Sequence, residues 1–404
     1  MESYSDGVDR AASYPVGKSV TVEALTSSPY DVLSRLRKAE PVSWVPVTGA
    51  WFVTRRDLAI EAMRDAESFT VDDSRFTTGR VLGRSMLTLE GDEHARHRKA
   101  FVAPFRPKFV REELEAVITQ RAQSLVARTL ATETPDLRTG VAGPLAVATI
   151  LDVLGLSDID AEDVLRWYDA FGRAIVSLTV GEDVPTEVST TLHSLYDQIG
   201  TAMGSDDAGL VTQLVADGIL RDDEIPAAVA VVMFGAIETS EGMTANLFWH
   251  LLTHPETLDR LRDDRSLVGA AIEESLRLEP AAAVVDRYTT ADVELGGVTI
   301  PAGDLVTISL LAANRDPEVF PEPDNFDIDR PNPTQHVTWA QGPHTCLGLH
   351  VAKAETRAAI IAMLDWEVEQ QRQLQLDPNS SSAPTGLIFR KPGSIALHGS
   401  TANR

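Results

Sequence analysis

Trp339-Ala340-Gln341-Gly342-Pro343-His344-Thr345-Cys346-Leu347-Gly348 is the stretch on which the reading of this chain turns. Its cysteine stands just ahead of Leu347–Glu369, whose spacing predicts a long helix. A helix N-terminus offers free N–H groups and the positive end of the dipole, and both stabilise a thiolate. Gly342 and Gly348 let the backbone approach the sulfur closely. A thiolate held this way is a nucleophile or a metal ligand, and the alternative is a buried, unreactive cysteine. A nucleophile needs a base and an orienter. His344 and His350 are near in sequence, but no cysteine-protease signature surrounds them. A zinc site fails on ligand count, because one cysteine with scattered histidines lacks the usual spacing.

Outward from this loop the texture changes twice. Pro41–Val45 and Ala50–Val53 read as a hairpin around Val47-Thr48-Gly49. Residues 85–280 follow helical periodicity. Within them Pro226 opens a helix that runs to about Leu252, apolar nearly all round from Ala227 to Ile237 and therefore expected to be buried. From Tyr288 the period returns to two, with Val293–Leu295 and Val298–Ile300 flanking Gly296-Gly297 and Leu305–Leu310 following. Residues 313–345 have little regular pattern and hold six prolines, and a loop of that length is usually functional.

Composition narrows the classes. The 404 residues carry 60 Asp and Glu against 36 Lys and Arg, a formal charge of −24, which argues against nucleic-acid or membrane-surface partners. One cysteine rules out an intramolecular disulfide and fits a cytoplasmic protein. Residues 1–20 read as a partly ordered tail without a secretory h-region, and the apolar runs are shorter than the roughly 20 residues that span a bilayer. Gly17-Lys18-Ser19 is similar to the end of a phosphate loop, but Ala12 stands where its first glycine is needed. GxGxxG, HExxH and GxSxG are absent, so electrons for any redox chemistry are expected from another protein.

An axial haem ligand needs only one thiolate in a hydrogen-bonding loop. Gly342-x-His344-x-Cys346-x-Gly348, behind the aromatic Trp339, resembles the cysteine loop of the cytochrome P-450 family of haem-thiolate monooxygenases. The resemblance runs from about Pro29 to Phe389. Glu274-Ser275-Leu276-Arg277 resembles the family's ExxR helix, and Gly235-Ala236-Ile237-Glu238-Thr239-Ser240 its oxygen-activating central helix. His94-Ala95-Arg96-His97-Arg98 resembles the HxxxR segment, and Asn314–Pro317 with Pro323–Asp327 the meander. Departures are Trp339 for Phe, Ala340 and Ala236 for Gly, and Asn325 where an Arg often completes a triad with ExxR; Arg330 is the candidate substitute.

The resemblance implies a mainly α fold with small β-sheets. A long central helix would cross the domain, and haem b (iron protoporphyrin IX) would lie between it and the cysteine helix. Residues 21–404 would form one monooxygenase domain. Cys346 would ligate the iron, with the Leu347 and Gly348 N–H groups tempering the sulfur, and Ala236 would border the oxygen groove. Thr239, bonded to the Gly235 carbonyl, and the buried acid Glu238 would deliver protons. His94, Arg98, Arg287 and His344 would hold the haem carboxylates, and Glu274–Arg277 would lock the meander. His336 would brace the loop. Segments 70–89, 171–179, 232–239, 281–285 and 385–388 would line an apolar substrate pocket. The implied enzyme inserts one oxygen atom of O2 into a small, mostly apolar organic substrate, with electrons from a ferredoxin and ferredoxin reductase.

The alternatives are a peroxide-driven oxygenase, a non-catalytic haem-binding sensor and a cysteine hydrolase. Arg96, Arg98, Lys99, Arg106, Lys108 and Arg111 crowd into sixteen positions of this acidic chain. With Arg98 turned inward, the others, joined by Lys353 and Arg357, would form a docking patch for an acidic carrier.

Overall fold

In the computed structural model, which describes residues 10–205 and 209–398, helices form most of the body. The central helix spans Ile225–Thr253, about 44 Å at 1.5 Å per residue. Pro226 sits in its first turn, where the missing N–H costs nothing. Apolar side chains cover nearly its whole circumference, so it is enclosed by other helices, and the Tyr168 hydroxyl donates to its Ala230 carbonyl.

This helix corrects the expectation that no segment reaches membrane-spanning length. Counting only Ala227–Ile237 missed that the apolar character resumes at Met243. Among the described residues it is the one helix long and apolar enough to cross a bilayer, and 72% of its most apolar window is buried inside the fold.

The expected hairpin forms as β1 (Val42–Val45) and β2 (Ala50–Val53). The chain adds β3 (Phe69–Thr70), β4 (Val284–Thr289), β5 (Val293–Leu295), β6 (Val298–Ile300) and β7 (Leu305–Ser309). The larger sheet has the order β1-β2-β7-β4-β3, and only the β2–β7 pair is parallel. Residues that line a strand in sequence alternate between its faces. β5 and β6 pair through Gly296-Gly297, both at positive φ, as that two-residue turn requires. Residues 10–13 and Pro15–Lys18 are helical; residues 1–9 of the expected N-terminal tail lie outside the described residues.

Between Leu310–Ala313 and Gly342–His344 the chain has neither helix nor strand, and a buried charge cluster fixes its path. Arg277 makes two bonds to Glu274, at 2.7 and 2.8 Å, and donates to the carbonyls of Asn314, Pro323 and Asn325. Arg330 completes the triad, its Nε lying 3.2 Å from each Glu274 oxygen. The arginine absent at Asn325 is thus replaced five residues on, while the Asn325 carbonyl accepts from both arginines. All three charged side chains are nearly inaccessible. Such a cluster holds because every donor finds an acceptor, and breaking a buried pair costs about 3–5 kcal/mol.

Candidate active site

Cys346 ends a tight loop in front of the helix Leu349–Glu369. Gly342 is at φ +77°, and a Cβ there would stand 2.5 Å from the Met63 carbonyl oxygen, so only glycine fits. Ala340, where the resemblance leads one to expect glycine, takes φ +56°, a conformation that costs an L-residue energy. The Cys346 N–H donates to the Trp339 carbonyl at 2.8 Å.

Gly348 is the N-cap, so the N–H groups serving the sulfur are those of Gly348 and Leu349, one residue later than expected. Burial pushes the Cys346 thiol up. The Gly348 N–H, the Arg98 charge and the Leu349 N–H pull it down. A cationic centre at Sγ is what would favour the thiolate decisively. Arg98 also donates to the Thr345 carbonyl at 2.7 Å and so ties the HxxxR helix Gly91–Phe101 to the loop. His336 braces the loop from the other side, with Nε2 3.1 Å from Glu273 and Nδ1 accepting from the Thr338 N–H.

A cavity of about 250 Å³ opens over Cys346. The central helix contributes Gly235, Ala236, Thr239, Ser240 and Met243 to its wall, and the Thr239 hydroxyl donates to the Gly235 carbonyl at 2.5 Å. His94, Arg98 and His344 line it too, and most of the remaining wall is apolar, from Met86 and Leu87 to Ala281, Ala282, Val285 and Leu310.

His94 is 5% exposed, and its Nε2 has no hydrogen-bond partner among the described residues. Burial, the neighbouring His344 and the Arg98 charge push His94 down to about 4, so it is neutral. A thiol, an orphaned buried imidazole nitrogen, two further donors and apolar walls form a donor set that fits an iron porphyrin. The thiolate would take the metal, the donors the carboxylates and the apolar walls the ring.

Two expected site residues stand elsewhere. Glu238 is buried but does not line the cavity. Its carboxylate is 2.9 Å from Lys391, whose amine also holds Glu241 at 2.6 Å. On a helix, residues 238 and 239 point about 100° apart, so one faces the cavity and the other the Lys391 side. Arg287 is buried on β4 but outside the lining. It donates to the Asp286 carbonyl at 2.7 Å and interacts with Glu90. The basic cluster expected as a docking patch has fewer unpaired members than expected. Arg96 is bound to Glu93 at 2.6 Å and to Glu224 at 2.7 Å, and Lys353 to Glu273 at 2.5 Å. Lys99, Arg106, Lys108, Arg111 and Arg357 remain exposed, Lys108 lying 3.9 Å from Glu112, and the exposed ring of Phe109 stands beside Lys108 in the chain.

Glu355 was not foreseen. It lies on the cysteine helix, 3% exposed, with the hydroxyls of Ser240 and Thr149 in reach and Oε2 unpartnered among the described residues. Burial, opposed by those hydroxyls, pushes its carboxyl up to about 8. A helical Glu nine residues after the cysteine gives no signal of this; burial by the central helix creates it. Because the native value exceeds the unfolded one, stability linked to this proton is full below the ordinary carboxylate range and lost as pH rises through about 8. Glu355→Gln, neutral throughout, is expected to unfold at a higher temperature than the unaltered chain at about pH 9, with a much smaller gain at about pH 5. Thermal melts at the two pH values check it, and equal gains at both would contradict it.

The family model described as Cytochrome P450 matches residues 207–395. The pulcherriminic acid synthase of Bacillus subtilis (strain 168) is 27% identical over 397 residues, 94% of this chain and 97% of its own. The cytochrome P450 monooxygenase PikC of Streptomyces venezuelae is 31% identical over 359 residues, 84% of each chain. Among solved structures, CalO2 is 26% identical and superposes with a TM-score of 0.82 over 94% of this chain and 98% of its own.

Proposed function

The chain belongs to the cytochrome P450 family, and from that premise we propose that it hydroxylates or similarly oxidises a small, mostly apolar organic substrate bound above Cys346. As a cytochrome P450 monooxygenase it carries haem and uses O2. The observation that carries the proposal is the convergence of Cys346, Thr239 and the His94–Arg98–His344 donors on one cavity. Haem bound there supplies the activation of O2 and the insertion of one oxygen atom.

The protein's own work is positioning. Cys346 would hold the iron, with the Gly348 and Leu349 N–H groups limiting the charge on sulfur. Arg98, His344 and His94 would take the haem carboxylates, with Arg287 supporting them electrostatically from β4. Met86, Leu87, Ala281, Ala282 and Val285 would exclude water and bind the apolar substrate. Thr239 would hold a proton-donating group at the cavity wall. Glu238 would reach that wall only after leaving Lys391. Thr239 on the wall also disfavours the peroxide-driven alternative, which has less need of proton delivery. We further assign residues 21–404 to one haem-thiolate unit working in the cytoplasm.

Electrons would come from a ferredoxin and its reductase. Lys99, Arg106, Lys108 and Arg111 would attract an acidic carrier to the face of the HxxxR helix. Steering of this kind raises encounter rates at low salt and fades as the Debye length shrinks. The test is the rate of reduction by a ferredoxin as ionic strength rises. The wild-type rate is expected to fall with salt, and Lys99→Glu plus Lys108→Glu to start low and lose most of the slope. Equal rates and slopes would place the partner elsewhere.

A further inference from the structure

Glu90 occupies the N-cap position of the helix Gly91–Phe101, yet its side chain bonds no N–H of that helix. It reaches across the fold instead. Oε1 accepts the Val71 N–H at 3.0 Å, and Oε2 lies 3.0 Å from Nε2 of His344, 254 positions away in the chain. A carboxylate only accepts, so His344 Nε2 is the donor. His344 is itself a wall residue of the cavity, whereas Glu90 is not, so the imidazole stands between the carboxylate and the cavity. The ring of His94 packs against that of His344 at 4.4 Å between centroids. Nδ1 of His344 has no hydrogen-bond partner among the described residues.

We propose that Glu90 is a positioning residue for haem: by accepting from Nε2 of His344 it turns the Nδ1 edge of the ring to the cavity, where the imidazolium, with a proton on each nitrogen, donates from Nδ1 to a haem carboxylate. The inference rests on the proposed seat of haem in this cavity. An unheld imidazole would rotate about two side-chain bonds, and fixing it in advance removes that ordering from the cost of binding. Outer partners that orient metal-ligating histidines work in the same way, and losing one typically costs about 10–100-fold in metal affinity or activity. The Val71 bond anchors the other carboxylate oxygen, so the clamp has one fixed jaw and one working jaw.

The test is the rate at which holoprotein loses haem to excess apomyoglobin. Glu90→Leu and His344→Ala are each expected to speed the loss about tenfold, the lower end for an outer partner. The double variant is expected to be no faster than His344→Ala alone, because Glu90 then has nothing left to orient. Effects that multiply in the double variant, or a wild-type rate in Glu90→Leu, would overturn the role and leave Glu90 serving Val71 only. Should Glu90→Leu not fold, Glu90→Gln enters the same cycle. It keeps an acceptor for Val71 and loses the charge that grips His344, and the same non-additivity is required of it. A wild-type chain that cannot hold haem would refute the parent reading, whereas a pigmented wild type with multiplying effects refutes only the role of Glu90.

Discussion

Cys346→Ser is expected to keep its pigment and lose its oxygenase activity. Haem in this cavity would be held by several groups besides the sulfur: Arg98, His94 and His344 at one end, and the apolar wall from Met86 to Leu310 around the ring. Those contacts survive the substitution. A serine hydroxyl is close in shape to the thiol but does not ionise near neutral pH, so the electron donation that promotes O–O cleavage disappears. Turnover should therefore fall to background while haem per chain stays near the wild-type ratio. Absorbance per chain and product yield in a reconstituted electron-transfer system read the two quantities. Product at the wild-type rate would mean that another residue ligates the iron.

Thr239→Ala should leave substrate binding near normal and uncouple turnover. The hydroxyl occupies the cavity wall and is bonded to the Gly235 carbonyl at 2.5 Å, so the methyl variant frees that carbonyl and removes a polar group next to the reacting centre. Positioned proton transfer is typically worth about 10²–10⁴-fold, so coupling of NAD(P)H to product should drop about tenfold or more. Hydrogen peroxide released per NAD(P)H consumed should rise correspondingly. Ser240, the next residue, faces the same cavity and Glu355, so the double variant with Ser240→Ala shows whether it substitutes in part. An unchanged peroxide ratio with unchanged product yield would remove Thr239 from the proposal.

Legibility of the sequence followed the range of the forces involved. The cysteine loop was readable because its main constraints are local: Gly342 takes a positive φ, and a helix begins within three residues of the sulfur. Glu274 and Arg277 were readable as an i,i+3 pair. The central helix was readable in extent but not in its membrane-like length, because the acidic interruption at Glu238 and Glu241 hid the apolar run beyond it. The burial of those acids depends on Lys391, which arrives from the far end of the chain.

Partnerships across long separations left no trace in spacing. Glu90 meets His344, Arg96 meets Glu224 and Glu355 meets Ser240 only because the fold brings segments far apart in the chain together. The basic cluster from Arg96 to Arg111 was overcounted for the same reason, since proximity along a helix does not say which face meets an acid. Arg330 shows the opposite case. An irregular loop can bring a substitute arginine to Glu274 from a position that no periodic pattern marks.

The ferrous–CO difference spectrum of the purified chain, beside that of Cys346→Ser, tests the haem-thiolate assignment most directly. With haem bound, a thiolate from Cys346 would donate electron density that a neutral ligand does not, and the ferrous–CO band would stand to the red. The account predicts that band in the wild type and its absence in a still-pigmented Cys346→Ser. A wild type without the band, or a serine variant that retains it, would contradict the placement of Cys346 on the iron.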